Sequence, residues 1–421
     1  MNQPSRRLKS CRLCNGKFDS HRLLLASTPP ANQLASSKEQ AISMSRFPLE
    51  LAMCAECKHL QLIDIVDPEV LFSDYIYRSG TSQTFVTHFS ELATIIQELE
   101  KSTDFIVEVG SNDGTLLESL SNLGYQAIGI EPSGVLADFA NQIGRRTIQG
   151  FFNNKTMDSI IKTHGKPSVI VGNNVFAHID DLNSAFDCAY NHIDDSGFFI
   201  FEVANVSRII SEGIFDTIYH EHMSYHSVTA LRKLAAKHKF VITRIDQIST
   251  HGGSFRFFLQ KDDFPENSSD VEKFIVEEKK FGLDSNKAIE RIENHVNRIR
   301  QETRDVLSQL KKTPNVKLIG YGAPAKVVTF LAAMEIENIE LVGIIDDNEF
   351  KQGKFLPGSG IRITSSSSLQ SELLASSEAP TIVCLVFPWN LGAEVEKKLK
   401  SWLPKGSTIV TFFPSISKVV C

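Results

Sequence analysis

Short apolar runs alternate with amphipathic segments through the middle of the chain. Each run has the length of a buried strand, and segments of helical character separate one run from the next. The candidate strands are residues 104–109, 126–130, 168–172, 197–203 and 254–259. Strands that alternate with helices in this way predict a doubly wound α/β sheet.

A second pattern of the same kind follows a charged connection. Residues 268–312 are charged and only weakly periodic, which predicts one or two long connecting helices. Beyond Pro314 a helix is expected from about 323 to 335, and the candidate strands are 316–320, 340–345, 381–386 and 408–412. The chain is therefore predicted to contain two Rossmann-like units.

Four of the seven cysteines form two close pairs, Cys11-Arg-Leu-Cys14 and Cys54-Ala-Glu-Cys57. Two CxxC pairs supply the four thiolates that tetrahedral zinc needs, and a site closed by four thiolates is structural. Disulfide bonds are not expected in a long cytosolic chain whose thiols are kept reduced. The alternatives are two unrelated surface turns, or a redox motif, which is disfavoured because neither pair opens a helix after a strand.

Composition and charge narrow the class of protein. With 421 residues, of which 42% are hydrophobic and 22% charged, the chain can bury cores of ordinary size and is not mostly disordered. A formal net charge of −6 argues against a nucleic-acid partner bound through a broad basic surface. No apolar run approaches the roughly 18 residues that span a bilayer, and the first residues do not lead into the apolar stretch of a secretory signal. We expect a soluble, cytoplasmic protein without a membrane partner, and the sequence leaves its oligomeric state open.

A glycine-rich turn follows the first strand of the central region. The segment Glu108-Val-Gly110-Ser-Asn112-Asp-Gly114 runs from strand into helix, so its backbone can approach a ligand closely and the helix start presents free N–H groups. The next strand ends at Glu131, a carboxylate suited to both ribose hydroxyls of an adenosine. Asn112 replaces the second glycine of GxGxxG, which a pyrophosphate needs and S-adenosylmethionine does not. The pattern favours this methyl donor over NAD. Another nucleotide, or a turn that serves packing alone, is the alternative.

Polar residues also follow the strand at 168–172. Asn173, Asn174 and His178 lie at its carboxyl end, where ligands gather in open α/β sheets. The two amides are candidates for holding the methionine end or the adenine edge of the donor. His178 is a candidate for facing the substrate, and a structural histidine is the alternative.

The densest group of ionisable side chains is Tyr219-His220-Glu221-His222-Met-Ser-Tyr225-His226. Histidine titrates near neutrality and tyrosine can supply a proton at an oxyanion, so the group suits proton transfer. A metal site is the first alternative, disfavoured because the HExxH spacing is absent. A solvated polar loop is the second.

The C-terminal α/β region carries a nucleotide-like turn of its own. Gly320-Tyr-Gly322-Ala-Pro-Ala-Lys326 follows a strand, satisfies GxGxxA and opens a helix, and the next strand ends at Asp346. Taken alone, this unit could bind a dinucleotide, which keeps an NAD-dependent nucleotide-sugar dehydrogenase as the alternative function.

Basic residues near this turn favour a different ligand. Pro324 and Lys326 at the helix start suggest a diphosphate held by backbone N–H groups and one ammonium group. Lys354 lies in a basic, turn-rich loop near the same end of the sheet and is a candidate substrate contact. Ser254 and Arg256 follow paired glycines in His251-Gly-Gly-Ser254-Phe-Arg256, which has the form of a ligand-contacting loop.

Together these motifs resemble the three-domain sugar C-methyltransferases, which use S-adenosylmethionine to methylate a ring carbon of dTDP-linked keto-deoxysugars. The resemblance covers essentially the whole chain. It rests on the paired CxxC module and on the segments Tyr75-x-Tyr77-x-Ser79, Glu108-Val-Gly-Ser-Asn-Asp-Gly114, Asn173-Asn-Val-x-Ala-His178, Tyr219-His-Glu-His222-x-Ser-Tyr225, His251-Gly-Gly-Ser254-x-Arg256 and Gly320-Tyr-Gly-Ala-x-Ala-Lys326.

The resemblance implies three domains. These are a zinc-binding module at residues 1–70, a methyltransferase domain at 71–265, and connecting helices with a Rossmann-like nucleotide-sugar-binding domain at 266–421. The chain departs from the family pattern at Gly80, where a second serine is frequent, and at Phe176, where a smaller aliphatic residue is usual. The larger Phe176 side chain is expected to tune the sugar pocket.

The resemblance also implies which groups carry the chemistry. The active-site groups fall on Tyr77 (or Tyr75, as a substrate contact), His178, Tyr219, Glu221 and His222. A hydrogen next to a C4 ketone is acidic because the enolate spreads its charge onto oxygen, so a base near neutral pKa can remove it and the carbon can attack the methyl group. We expect His222 to be the base, Glu221 to orient it, and Tyr219 with His178 to lie near the ketone. A scaffold that binds nucleotide sugars without turnover is the non-enzymatic alternative, which has no need of such a cluster.

Overall fold

The computed structural model describes residues 4–72, 78, 80, 83–99, 101–248, 253–261, 268–310, 312–374, 380–389 and 392–421. The described chain divides into two compact units. The first unit comprises Met1–Ser20, Ala52–Ser207 and His222–Asn286, and the second comprises His21–Leu51, Arg208–Glu221 and Lys287–Cys421.

The N-terminal region is built mostly from short strands. Its elements are β1 (Ser5–Arg7), β2 (Phe18–Thr28), α1 (Lys38–Ser43), β3 (Phe47–Cys54), β4 (Leu60–Leu62), β5 (Asp64–Val66) and α2 (Pro68–Phe72). Strands β1 and β5 pair antiparallel in the first unit. The short helix α1 begins where the Ser37 side chain accepts a hydrogen bond from the Gln40 N–H, a standard N-cap.

The central region alternates strands and helices, as its apolar pattern predicts. The elements are α3 (Gln83–Glu98), β6 (Phe105–Val109), α4 (Thr115–Asn122), β7 (Gln126–Glu131), α5 (Gly134–Gln142), β8 (Thr147–Gln149), α6 (Asn154–His164), β9 (Val169–Asn173), α7 (Leu182–His192), β10 (Phe198–Ala204), α8 (Val206–Glu212), a single 3-10 turn (Phe215–Thr217), β11 (Ser224–Tyr225), α9 (Val228–Lys237), β12 (Phe240–Ile248), β13 (Ser254–Lys261) and α10 (Ser269–Lys280).

Seven of the described strands form the sheet of the first unit, in the order β12-β13-β10-β9-β6-β7-β8. Strands β6 to β10 run parallel, and β13 and β12 add an antiparallel edge. The chain order reverses between β6 and β9, so their carboxyl ends flank the crevice where open α/β sheets bind ligands. The predicted doubly wound sheet is confirmed, with β8 and β12 as additional strands.

The core of this sheet is rich in phenylalanine. The Phe176 ring is fully buried and lies 4.9 Å from the Phe201 ring and 5.2 Å from the Phe199 ring, centroid to centroid. Burying one such side chain contributes about 1.5–3 kcal/mol. The interpretation that Phe176 tunes a sugar pocket is therefore wrong, because its side chain belongs to the hydrophobic core.

The C-terminal region has the second predicted α/β pattern. Its elements are α11 (Lys287–Leu310), β14 (Val316–Tyr321), α12 (Lys326–Ala333), β15 (Ile344–Ile345), β16 (Ile363–Thr364), α13 (Ser366–Leu374), β17 (Thr381–Val386), α14 (Gly392–Lys400), β18 (Thr408–Thr411) and β19 (Ser417–Val420). Six strands of this part of the described chain form a sheet in the order β16-β15-β14-β17-β18-β19, parallel except for β19. Strand β15 and helix α12 are shorter than predicted. Within the described residues, no helix combines the length and the apolar character that crossing a membrane requires.

Candidate active site

The two CxxC pairs converge in the first unit. The ligand atoms of Cys11, Cys14, Cys54 and Cys57 all lie within 4.8 Å of one another, and the Sγ atoms of Cys11 and Cys57, and of Cys14 and Cys54, are 3.5 Å apart. This spacing fits four thiolates that bind a single zinc ion, with each sulfur about 2.3 Å from the metal. Backbone N–H groups of Leu13, Gly16 and Glu56 donate to the sulfurs, which stabilises the thiolate form. The four cysteine sulfurs therefore suit a zinc ion as ligands.

Removing one ligand should empty the zinc site. We expect Cys54→Ser to lose bound zinc and to destabilise the N-terminal module, because a structural zinc ion contributes folding free energy. Metal analysis together with thermal unfolding measures both effects. Cys421→Ser, a change at the C-terminus, is the matched control and should keep its zinc. Full zinc retention in Cys54→Ser would exclude the four-thiolate site.

The turn between β6 and α4 is shaped for close backbone approach. Gly110, Asn112 and Gly114 all adopt left-handed backbone conformations, with φ of 65°, 53° and 74°. A side chain at Gly110 would meet Val175, because an added Cβ would lie 2.4 Å from its Cγ2 atom. The sequence therefore needs glycine here to let β6 turn into α4 beside the end of β9.

Glu131 closes the turn from the neighbouring strand. Its carboxylate accepts hydrogen bonds from the backbone N–H groups of Asn112 and Ser133, each at 2.9 Å. Burial raises the pKa of Glu131, and these two N–H groups partly offset the shift. The carboxylate thus lies at the turn, the position at which the sequence predicts a ribose contact.

Polar groups without partners line the carboxyl ends of β6 and β9. Within the described residues, Oε2 of Glu108 and both side-chain polar atoms of Asn173 are buried and make no hydrogen bond. Burial, together with Asp113 and Glu131, raises the pKa of Glu108 well above its ordinary value. Each unsatisfied buried group costs about 1–3 kcal/mol, so this crevice fits a polar ligand such as the methionine end of S-adenosylmethionine. Asn174 follows in a left-handed conformation, with φ of 56°.

Two histidines from distant parts of the sequence meet in the first unit. The rings of His178 and His222 are both half-buried, and their centroids are 4.9 Å apart. His178 lies in the loop after β9, and His222 lies just before β11. The backbone N–H of Met223 donates to Ala177 at 2.8 Å, which joins the two segments directly. The structure thus brings together the histidines that the sequence proposed as substrate contact and base.

The other histidines of the same segment have a different environment. His220 and His226 are each 1% exposed, and their Nε2 atoms contact the carbonyl oxygens of Pro48 and Phe176. Burial lowers the pKa of each imidazole to about 4, so both are neutral at pH 7. They are structural, and the dense cluster in the sequence contains His222 as its half-buried histidine.

Glu221 and Tyr219 belong to the second unit. The buried Glu221 carboxylate accepts hydrogen bonds from the backbone N–H and side-chain amide of Asn32, at 3.1 Å and 3.2 Å. Burial raises the pKa of Glu221. Tyr219 is half-buried, next to Ile218, whose carbonyl accepts a hydrogen bond from the Thr329 hydroxyl. The role of Glu221 toward His222 remains a prediction.

Arg256 lies in a buried ionic network. Its guanidinium lies 2.5 Å from the Glu202 carboxylate, which is also 2.8 Å from Nε2 of His88. Burial alone would raise the pKa of Glu202, but His88 and Arg256 bring it below its ordinary value. Ser254 is 1% exposed and starts β13. These contacts occupy the Arg256 side chain that the sequence proposed for substrate binding, and they hold β13 against β10.

The predicted tyrosine contacts, Tyr75 and Tyr77, lie outside the described residues. Nearby, the backbone N–H of Gly80 donates to the Asp113 carboxylate at 2.9 Å. Asp113 lies in the turn between β6 and α4, so Gly80 contacts the candidate donor site.

The second glycine-rich turn lies in the second unit. Gly322 has a φ of 79°, and an added Cβ would lie 2.5 Å from Cδ of Pro388. The carboxylate of Asp346 accepts a hydrogen bond from the Ala323 N–H at 2.8 Å. Lys354 is half-buried in a turn, where its carbonyl accepts a hydrogen bond from the Ile363 N–H.

Lys326 at the end of this turn has partners that the sequence did not reveal. It lines a small aromatic cavity with the buried Asp216, and its ammonium lies 4.1 Å from the ring centroid of Trp389. The Trp389 indole N–H donates to Asp216 at 2.9 Å. Burial lowers the pKa of Lys326 to about 8 and raises the pKa of Asp216 to about 6. The structure therefore places Lys326 in the same cavity as the buried carboxylate of Asp216. The negative charge of Asp216 partly offsets the effect of burial on the pKa of Lys326.

Three family models match consecutive parts of the chain. They describe a zinc binding domain over residues 11–72, a methyltransferase domain over 85–245 and a C-methyltransferase C-terminal domain over 249–414. Together they match a three-domain C-methyltransferase family with an N-terminal zinc-binding domain. It is 28% identical to the C-methyltransferase NovU of Streptomyces niveus over 412 residues, which are 97% of this chain and 96% of NovU.

Solved methyltransferase structures also resemble part of the chain. Magnesium protoporphyrin IX methyltransferase from Synechocystis PCC 6803, with bound S-adenosylmethionine, aligns with 15% identity and a TM-score of 0.32, over 43% of this chain and 79% of that one. The CcbJ methyltransferase from Streptomyces caelestis aligns with 11% identity and a TM-score of 0.32, over 41% and 89%. Likenesses of this size carry no functional argument.

The family match decides between the functions that the sequence left open. The enzyme is an S-adenosylmethionine-dependent C-methyltransferase with a zinc-binding domain. The alternative of an NAD-dependent dehydrogenase has no support, because the region with Gly320-x-Gly322 matches a C-methyltransferase C-terminal domain.

Donor binding should depend on Glu131. We expect Glu131→Ala to weaken binding of S-adenosylhomocysteine by about 1–3 kcal/mol, because the change leaves buried partners unpaired. Isothermal titration calorimetry measures the loss. Glu118→Ala, which removes an exposed carboxylate on α4, is the matched control and should bind normally. An unchanged affinity in Glu131→Ala would move the ribose contact elsewhere.

Proposed function

We propose that this enzyme methylates the ring carbon next to the ketone of a dTDP-linked 4-keto-deoxysugar. The observation that carries the proposal is the pair of half-buried imidazoles, His178 and His222, in the unit that holds the glycine-rich donor turn. Methylation at carbon needs a carbanion equivalent, and a ketone makes the neighbouring hydrogen acidic enough for an imidazole to remove.

In the proposed mechanism His222 is the base. S-Adenosylmethionine supplies a methyl group on a positively charged sulfur, and the crevice at Glu108 and Asn173 supplies polar groups for its methionine end. His222 takes the proton next to the ketone onto an imidazole nitrogen. The ring of His178 lies 4.9 Å from that of His222, close enough for His178 to contact the same ketone. A hydrogen bond to the enolate oxygen stabilises the charge that develops there.

Tyr219 and Glu221 are the other proposed catalytic residues, because they lie close to His222 in the sequence. Tyr219 precedes His222 by three residues, and its hydroxyl is proposed to donate to the enolate oxygen. Glu221 is proposed to orient His222. The resemblance of Tyr219-His-Glu-His222 to the family motif supports both roles, and Tyr77 joins them on the same ground.

The nucleotide-sugar part of the proposal rests on the C-terminal α/β unit. Its turn at Gly322 follows the parallel strand β14 and opens helix α12, the end of an open α/β sheet at which ligands bind. Lys354 is a nearby basic residue in the sequence and is proposed as a further contact.

A panel of nucleotide sugars tests this function. We expect formation of S-adenosylhomocysteine with dTDP-4-keto-deoxysugars and none with the matched 4-hydroxy sugars, because the hydroxyl compound cannot form an enolate. Mass spectrometry follows both products. Equal turnover of the 4-hydroxy sugars would contradict the enolate route, and turnover of unrelated ketones alone would exclude the sugar.

A further inference from the structure

We infer that Arg12, the residue after the first zinc ligand, is a positioning residue that holds the segments carrying His178 and His222 in register. This inference rests on the proposed function for the roles of the two histidines. Every contact that supports it lies within the first unit.

Arg12 is unusually buried for an arginine. The side chain is 3% exposed, although arginine is rarely buried without partners. An arginine guanidinium is charged at neutral pH. A buried charge of this kind is maintained only by well-placed partners.

One set of partners leads to His222. Nε of Arg12 donates to the Gln61 side-chain oxygen at 3.3 Å, and Nη2 donates to the Leu62 carbonyl at 3.0 Å. Both partners lie in β4, which pairs antiparallel with β11 through Gln61 and Ser224. The Leu62 N–H also donates to the Met223 carbonyl at 3.0 Å. Arg12 therefore holds the strand against which the residues directly after His222 are fixed.

A second partner leads to His178. Nη1 of Arg12 lies 3.6 Å from the carboxylate of Asp180, which follows His178 by two residues and also pairs with Arg6. The Arg12 carbonyl accepts a hydrogen bond from the Asn183 side chain at 2.7 Å. One guanidinium thus contacts both the strand that supports His222 and the loop that carries His178.

The zinc site fixes Arg12 itself. Arg12 lies between Cys11 and Cys14, and the Gln61 side-chain amide donates to Sγ of Cys11 at 3.1 Å while its oxygen accepts the Arg12 N–H at 3.1 Å. Gln61 therefore links the metal ligand to β4. A displacement of about 1 Å at a catalytic group can cost on the order of 100-fold in rate, so this support has a measurable consequence.

Two substitutions of Arg12 in the zinc-loaded enzyme test the inference. We expect Arg12→Gln to lower kcat about 10- to 100-fold, with zinc content, KM for the sugar and affinity for S-adenosylhomocysteine nearly unchanged. Arg12→Lys should recover only part of the loss, because an ammonium cannot reproduce the fork of a guanidinium. Arg232→Gln, which breaks an exposed ion pair with Glu272, is the matched control and should keep full kcat.

A readout without turnover separates this inference from the proposed function. In protein labelled with ¹⁵N-histidine, Arg12→Gln should shift the imidazole signals of His178 and His222 and leave that of His164, at the end of α6, in place. Should the wild type methylate no keto sugar, the proposed function fails while this measurement still decides the inference. Should Arg12→Gln not fold, Asp180→Asn carries the test, with a smaller loss of kcat and a shift at His178. Unchanged histidine signals and unchanged kcat in folded variants would overturn the inference.

Discussion

Replacing His222 with alanine should lower kcat on the order of 10²–10⁴-fold, the usual contribution of a positioned general base. Binding of S-adenosylhomocysteine and of the sugar should persist, because the contribution of a base lies in the transition state. The half-buried position of His222 makes loss of folding a minor concern, which a thermal unfolding curve checks. Single-turnover kinetics with a dTDP-4-keto-deoxysugar measures the chemical step.

Two further variants distinguish the base from its neighbours. With S-adenosylhomocysteine bound, the wild type should exchange the hydrogen next to the ketone for solvent deuterium, and His222→Ala should not. Tyr219→Phe should keep more activity than His222→Ala if its hydroxyl only donates to the enolate oxygen. Normal turnover in His222→Ala, with an inactive Tyr219→Phe or His178→Ala, would assign the base to one of those residues.

Replacing Lys326 with methionine should destabilise the folded protein by about 3–5 kcal/mol at pH 7, because the change leaves a buried carboxylate without its cation. Asp216 is 2% exposed, and its pKa is already raised to about 6 by burial while Lys326 opposes that rise. Removing the Lys326 cation should raise the pKa of Asp216 further. Chemical denaturation at several pH values measures the loss of unfolding free energy.

The pH dependence of this loss has a definite sign. A carboxyl whose folded pKa exceeds its unfolded value of 3.8 binds a proton in the folded state that the unfolded chain releases. Relative to the wild type, Lys326→Met should therefore lose more stability as the pH rises above about 6 and recover as the pH falls toward 4. The double variant Asp216→Asn/Lys326→Met should regain most of the stability, because an amide can still accept the Trp389 N–H. A variant with unchanged stability and a raised KM would instead make Lys326 a diphosphate ligand.

The glycine-rich turn and the two CxxC pairs could be predicted, because residues close together in the sequence determine their structure. The apolar run before Gly110 and the spacing of the glycines predict both β6 and its turn. The short spacing of each CxxC pair likewise predicts which sulfurs converge, since a tight turn fixes two thiolates at once. Strand β12 was not predicted, because Arg244 and Asp246 interrupt its apolar pattern and pair with each other at 2.7 Å on the exposed side.

Long-range contacts explain what the sequence could not show. Arg256, Glu202 and His88 lie on separate elements, so no spacing along the chain identifies them as one network. A single glutamate inside the apolar strand Phe198–Ala204 was the available signal. Lys326 opens a helix and so suggests a phosphate ligand, and only the cavity that it shares with Asp216 indicates an internal role. The difference between His220 and His222 likewise depends on burial by segments far away in the chain.

The position of the transferred methyl group tests the central claim most directly. The enzyme is incubated with S-adenosylmethionine labelled with ¹³C in the methyl group and with a dTDP-4-keto-deoxysugar labelled with ¹³C in the ring, and the product is examined by NMR. We predict a one-bond carbon–carbon coupling between the methyl group and the ring carbon next to the ketone, with loss of one hydrogen from that carbon. A methyl group bonded to oxygen, or to a carbon not adjacent to the ketone, would contradict enolate formation by His222.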